Sequence, residues 1–168
     1  MPQKRKLTRN IFLSLFLVLV IIQFMQPKKN LGGDQSRHIS TQYGTPLEVR
    51  AILASACDDC HSNYTKYPWY GYIQPIAWWL DGHINDGKRH LNFSEFAAYR
   101  PARQFHKMEE IEELVGTGEM PLGYYTKMHG EAKLSQEQKN AIVNWTIAVR
   151  EQMKSMYPPD SLVMPGKH

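Results

Sequence analysis

Cysteine is nearly absent from this 168-residue chain, with Cys57 and Cys60 making up the whole complement. A structural zinc site takes four ligands and typically two such pairs, so the missing second pair argues against that class. A disulfide between the two would close a very small loop and stabilise little. Alternating apolar and polar residues are missing as well, which leaves no expected sheet and none of the βαβ context of a thioredoxin-like dithiol. No internal repeat is present. A basic surface for nucleic acid is lacking too, despite the formal net charge of +4. Lys4, Arg5, Lys6, Arg9, Lys28 and Lys29 all precede residue 30, and without these six the 20 basic residues fall to 14 against 16 acidic ones. The body is therefore mildly acidic, which excludes a nucleic-acid partner.

The early positive charges flank a long apolar run, "IFLSLFLVLVIIQFM", residues 11–25. With Leu7 and Thr8 it approaches the roughly 20 residues that cross a bilayer as a helix. The following "QPKKNLGGDQSRH" has no A-x-A-like pattern of a cleavage site, so the reading is an uncleaved anchor over residues 1–26. Four basic residues before the run and two after it put the N-terminus inside and the body outside. Residues 27–43, polar and glycine-containing, read as a flexible tether, residues 44–154 as one domain, and residues 155–168 as a C-terminal tail.

The domain reads as short helices between Pro- and Gly-marked turns. In "TPLEVRAILASAC", Thr45 is expected as N-cap, Pro46 as first helical residue and Glu48 as partner in a capping box, with Leu47, Ile52, Leu53 and Ala56 apolar. "NYTKYPWYGY" is too turn-rich to be regular. Ile76, Trp79, Leu80, His83 and Ile84 share one helical face, with Gly87 as the expected stop. "NFSEFAAY" reads as a short capped helix. In the next helix Phe105, Met108, Ile111, Leu114 and Val115 point inward and Gly116 ends it; its "EEIEE" run reads as a solvated face. Ser135 and Gln138 have capping-box spacing before a last helix that buries Ile142, Trp145, Val149 and Met153. The fold class is all-α, a bundle of about four to five short helices behind an N-terminal transmembrane helix.

The two cysteines stand in "CDDCH", residues 57–61. Two thiols separated by two residues can each add to a vinyl group of one haem, and a histidine directly after the second can coordinate the iron from the same side. C-x-x-C-H is the signature of that attachment, which points to one covalently bound haem c with His61 as axial ligand. Methionine commonly fills the second axial position in cytochromes c, its soft thioether favouring the ferrous state. Met120 is the leading candidate because it lies in "GTGEMPLGYY", a Gly- and Pro-bounded loop before the terminal helix. His83, His129 and Met128 are the alternatives, and Met164 in the tail a weak one. Trp69, Trp78 and Trp79, with Tyr64, Tyr67, Tyr70 and Tyr72, could wrap the haem or could be ordinary aromatics.

Two stretches, "CDDCHSNYTKYPWYGYIQPIAWWLDGHINDGKRHLNFSEF" and "GEMPLGYYTKMHGEAKLSQEQKNAIVNW", resemble the haem-binding domain family of small bacterial monohaem c-type cytochromes. The resemblance covers about residues 40–152 and implies covalent haem at Cys57 and Cys60 with His61 on the iron. The order of attachment helix, haem motif, Met-Pro loop and closing helix is more distantly similar to class I cytochromes c. The expected protein is then a membrane-anchored periplasmic cytochrome on the bacterial inner membrane. It would carry single electrons between redox protein partners and would not be an enzyme. A haem-based ligand sensor or a small haem enzyme with a labile sixth position is the alternative.

Overall fold

The structure is a computed structural model that describes residues 2–164; Met1 and the last four residues of the tail, 165–168, lie outside the described residues. It is all-helical, as expected. The helices are α1 (Pro2–Ile22), α2 (Ile39–Gln42), α3 (Leu47–Ala56), α4 (Asp58–His61), α5 (Ile76–His90), α6 (Pro101–Thr117), α7 (Gly123–Met128) and α8 (Gln136–Met156). Among the described residues the one β-type pairing is an isolated bridge between Leu31 and Tyr64.

The core sits between α6, α8 and α3. In α8 Ser135 caps the helix and Gln138 returns the bond, so two orphan amides are satisfied at the N-terminus. Ile142, Trp145, Val149 and Met153 then lie buried on one stripe, each removing enough apolar surface from water to stabilise the fold by about 1.5–3 kcal/mol. Met108, Ile111 and Val115 of α6 and Val49, Ile52 and Leu53 of α3 join the same cluster, as do Ile39, Tyr43, Leu91, Phe93 and Phe96. Leu47 lies outside it, 81% exposed, because Pro46 rather than Thr45 occupies the N-cap position and no side chain closes a box there. The α6 stop falls at Gly118 instead of Gly116, since Gly118 takes the left-handed conformation (φ 82°) that closes a helix without a Cβ penalty. The acidic run of α6 is not simply solvated. Arg150 of α8 bonds Glu112 at 2.6 Å and Glu109 at 3.2 Å, tying the two long helices together.

The transmembrane expectation is overturned, and with it the single-pass inner-membrane localisation: no helix among the described residues is long and apolar enough to cross a membrane. The reason lies in where α1 begins and ends. It stops at Ile22 and contains Lys4, Arg5, Lys6 and Arg9, so its uninterrupted apolar part is residues 11–22. At 1.5 Å per residue that is roughly 18 Å, against about 30 Å of hydrocarbon.

Residues 27–43, read as a tether, are laid against the body instead. The Asn30 side chain donates to the Ser62 carbonyl at 3.0 Å and the Thr65 hydroxyl at 2.8 Å, and the Asn30 amide donates to the Tyr67 hydroxyl at 2.9 Å. Lys29 donates to the Gly71 carbonyl at 2.5 Å and lies over the rings of Tyr67 and Tyr72. Ile39 and Tyr43 are fully buried. In the tail, Tyr157 and Leu162 pack on the core cluster.

Helix α5 departs from expectation twice. It runs past Gly87 to His90, and Leu91 N–H closes the last turn on the Gly87 carbonyl at 2.9 Å. Of the expected stripe Ile84 is buried and Leu80 and His83 half-buried, whereas Ile76 and Trp79 are exposed, and Ala77 is the other buried side chain.

Candidate functional site

The site begins where α3 ends. Cys57 closes α3 through its amide to the Leu53 carbonyl and at once starts α4, the single turn Asp58–His61, whose His61 amide returns to the Cys57 carbonyl at 2.9 Å. The turn brings Cys57, Cys60 and His61 together, all half-buried, with the cysteines unlinked. Burial first, then Asp58 and Cys60, push the Cys57 thiol up to about 12; burial and then Asp59 push Cys60 up to about 11. A dithiol oxidoreductase needs a lowered thiol pKa, and the environment here does the opposite. Among the described residues no group of three or more His, Cys, Asp or Glu side chains converges as a metal cluster would.

His61 is held in one orientation. Its Nδ1 lies 3.1 Å from the Gly87 carbonyl and 3.0 Å from the Leu91 carbonyl. Carbonyl oxygens only accept, so Nδ1 carries the proton and Nε2 keeps its lone pair. The imidazole thereby ties the C-terminal end of α5 to the motif, sharing the Gly87 carbonyl with the Leu91 amide and adding a donor to the Leu91 carbonyl. Phe93 braces the ring edge-on at 6.4 Å between centroids. Burial lowers the His61 pKa, with His90 and Lys107 adding to it against the raising effect of the two carbonyls, so the ring is neutral at physiological pH. A neutral histidine whose second nitrogen donates to a backbone carbonyl is the usual state of a metal-ligating imidazole.

Gly87 matters for a reason its expected role as a helix stop had missed. A Cβ there would stand 2.7 Å from the Cys60 carbonyl oxygen and 3.1 Å from Cys60 Cβ. Only glycine lets α5 cross the motif closely enough for its carbonyls to reach His61.

Around Tyr124, whose phenol pKa is pushed up by burial and then by Cys60, the surface is aromatic. Trp79, His83 and Tyr124 form one cluster, with Trp79 and Tyr124 ring centroids 5.3 Å apart and His83 4.3 Å from Trp79 and 5.2 Å from Tyr124. Trp79 is 50% exposed, Tyr124 41% and Ile76 40%. Trp69 and Tyr64 lie further out in solvent; Trp78 donates its indole N–H to the Met25 carbonyl at 2.8 Å. Tyr70 points to His129 instead, its hydroxyl 3.4 Å from Nε2.

The candidate second ligands differ in their surroundings. Met120 is half-buried against the core cluster, as is Cys57, and its amide is fixed to the Leu114 carbonyl at 3.0 Å. Met128 is 64% exposed. His129 directs Nδ1 to the Tyr125 carbonyl at 3.2 Å, which leaves Nε2 to accept from Tyr70 and so occupies its lone pair. His83 directs Nδ1 to the Trp79 carbonyl at 2.8 Å within its own helix. Met164 lies in the tail, away from the motif in sequence.

Three further residues shape the turn. Asp59 accepts from the Lys66 amide with Oδ1 at 2.8 Å and from the Tyr125 hydroxyl with Oδ2 at 2.8 Å, while its carbonyl takes the Thr65 hydroxyl at 2.6 Å. Burial and then the bond to Asp59 push the Tyr125 phenol up, so it stays a donor. Asp58 is different. Its Oδ1 is buried with no hydrogen-bond partner among the described residues, and burial, then Asp59, push the carboxyl up to about 6. Proximity in sequence flags the aspartates; nothing local flags Tyr125.

The model of the haem-binding domain family matches residues 17–148, from the second half of α1 to the fourth turn of α8. No curated protein and no solved structure matches the chain. The match takes in the whole C-x-x-C-H turn, the α5 clamp on His61, the aromatic patch and the Met120 loop, and it spans well over half of the chain. The protein therefore belongs to the haem-binding domain family.

Proposed function

We propose that the protein is a monohaem c-type cytochrome that carries single electrons between redox protein partners. The observation that carries this reading is His61, clamped through Nδ1 by two α5 carbonyls so that Nε2 alone is left for iron, in the same turn as two unlinked cysteines. The surroundings suit a haem: neutral thiols rather than thiolates, and exposed aromatic surface at Trp79 and Tyr124, of which Tyr124 lies within electrostatic reach of Cys60. Cys57 and Cys60 would hold the group through thioether bonds and His61 would ligate its iron. Haem, when bound, supplies a one-electron couple at iron.

The chain's own work is to hold that couple steady. The α5 carbonyls fix the His61 plane and proton, which keeps the axial ligand constant between redox states. Met120, as second ligand, would favour the ferrous state through its thioether. The aromatic patch would keep water from the iron and so raise the potential further.

The test is expression together with haem-maturation machinery, followed by spectroscopy. Haem that survives denaturation, a low-spin ferric spectrum, and a methionine-to-iron charge-transfer band lost in Met120→Ala but kept in His83→Ala are the expected results. No covalent haem, or a high-spin iron that takes up carbon monoxide readily at neutral pH, would overturn the reading.

A further inference from the structure

The segment from Met120 to Ala132 is secured at its two ends. Met120 is fixed to the end of α6 through its amide, and Ala132 is fully buried. Between them α7 has six residues, none buried, too short to persist as a helix by itself. Its link to the C-x-x-C-H turn is the hydrogen bond from Tyr125 to Asp59, across 66 residues of sequence. Both partners are themselves immobilised. Asp59 is fixed by the Lys66 amide and the Thr65 hydroxyl. Tyr125 is stacked on His129, with centroids 4.3 Å apart and planes at 22°, and His129 is in turn held by Tyr70.

Resting on the cytochrome reading above, we propose that Tyr125 and Asp59 form a latch that keeps the Met120-bearing segment closed over the haem motif. Tyr125 is then a positioning residue for the second axial side of the iron. The physical basis is that a rigid donor meets a rigid acceptor at the one polar link between α7 and the motif turn among the described residues, so opening of the segment requires this bond to break. Loss of a hydrogen bond to a carboxylate acceptor should raise the open population by about tenfold or more.

The experiment uses the full chain with haem attached. Carbon monoxide association to the ferrous form and the strength of the methionine charge-transfer band are measured for wild type, Tyr125→Phe, Asp59→Ala, Asp59→Asn and the Tyr125→Phe/Asp59→Ala pair. Tyr125→Phe and Asp59→Ala should each speed carbon monoxide binding about tenfold and weaken the band, while the double variant goes no further because both remove one interaction. Asp59→Asn should stay near wild type: its carbonyl can accept from Lys66 and its amide can donate to the Tyr125 oxygen. A Tyr125→Phe rate within about twofold of wild type, or single effects that multiply in the pair, overturns the latch. Should Asp59→Ala fail to mature, Tyr125→Phe decides alone. Wild type with covalent low-spin haem and an unchanged Tyr125→Phe sinks the latch only; wild type without covalent haem sinks the cytochrome reading and the latch together.

Discussion

Replacing Gly87 with alanine tests whether the crossing of α5 over the haem motif is as tight as it looks. In an ordinary helix interior the change would stabilise by about 0.5–1 kcal/mol, because alanine loses less backbone freedom on folding. Here the new Cβ would meet the Cys60 carbonyl oxygen at 2.7 Å and the carbonyl carbon at 3.2 Å, where ordinary contact begins at 3.4 Å. These are backbone atoms, so no rotamer relieves the overlap and α5 must retreat by about 0.7 Å. Overpacking of this kind costs about 1–3 kcal/mol, which outweighs the propensity gain. A net loss of about 1–2 kcal/mol lowers the midpoint by roughly 2–8 °C for a chain this long. The retreat also lengthens the Nδ1 contacts of His61 to the Gly87 and Leu91 carbonyls, now 3.1 and 3.0 Å, toward the limit of a hydrogen bond. Thermal unfolding should be followed beside the low-spin ferric spectrum, with Gly116→Ala as control, since nothing lies within 4 Å of a Cβ there. Gly116→Ala should be neutral or stabilising. If Gly87→Ala is as stable as that control and its spectrum is unchanged, the close approach does not govern the site.

Other perturbations probe the frame around the motif. Gln104 accepts from the Tyr43 hydroxyl at 2.5 Å and donates to the Phe96 and Tyr99 carbonyls at 3.2 and 2.8 Å, so Gln104→Leu should cost about 2–4 kcal/mol in urea unfolding by stranding buried groups. Ser135→Ala removes the side-chain half of the α8 cap and should cost about 1 kcal/mol in the same assay. Asp58, pushed up from 3.8 to about 6 by burial and then by Asp59, binds its proton more tightly folded than unfolded; the penalty is full above pH 6 and vanishes as pH falls through 3.8. Asp58→Asn should therefore raise unfolding free energy at pH 7 by up to about 3 kcal/mol and converge with wild type in acid, and a constant gap at both pH values would contradict the burial argument.

How far the sequence could be read depended on whether one rule or two competing rules acted at a position. In α8 the Ser135–Gln138 box and the spacing of Ile142, Trp145, Val149 and Met153 agree, and the helix is found where expected. In α5 two stripes compete. Ile76, Trp79, Leu80, His83 and Ile84 share helical spacing, yet only Ile84 of that stripe is fully buried; the inward face is turned toward Ala77 and takes in Gly87 where the Cys60 backbone presses in, leaving Ile76 and Trp79 exposed. A glycine at a helix crossing and a glycine at a helix stop look alike in sequence, which is why Gly87 was read as the stop and Gly118 was not. At the N-terminus hydropathy counted residues 23–25 beyond the end of the helix and ignored that Arg9 and its basic neighbours belong to the same α1. The polar stretch after it seemed a tether because the partners of Asn30, 32 and 35 residues away, leave no local pattern.

The two aspartates inside the haem motif show why the identity of residues between the cysteines matters beyond spacing. They are adjacent on a single helical turn, so their side chains diverge by about 100°. That rotation sends Asp59 outward to Lys66 and Tyr125, where each oxygen finds a donor, and leaves an oxygen of Asp58 buried without one. One aspartate therefore knits the turn to its neighbours while the other works against the fold at neutral pH. Burial of Asp58 persists because the same α4 turn that buries it also aligns Cys57, Cys60 and His61. Rotating the turn to solvate Asp58 would pull His61 from the α5 carbonyls that fix its proton. The geometry that presents Nε2 and the cost at Asp58 are thus two consequences of one backbone turn, and neither can be relieved without the other.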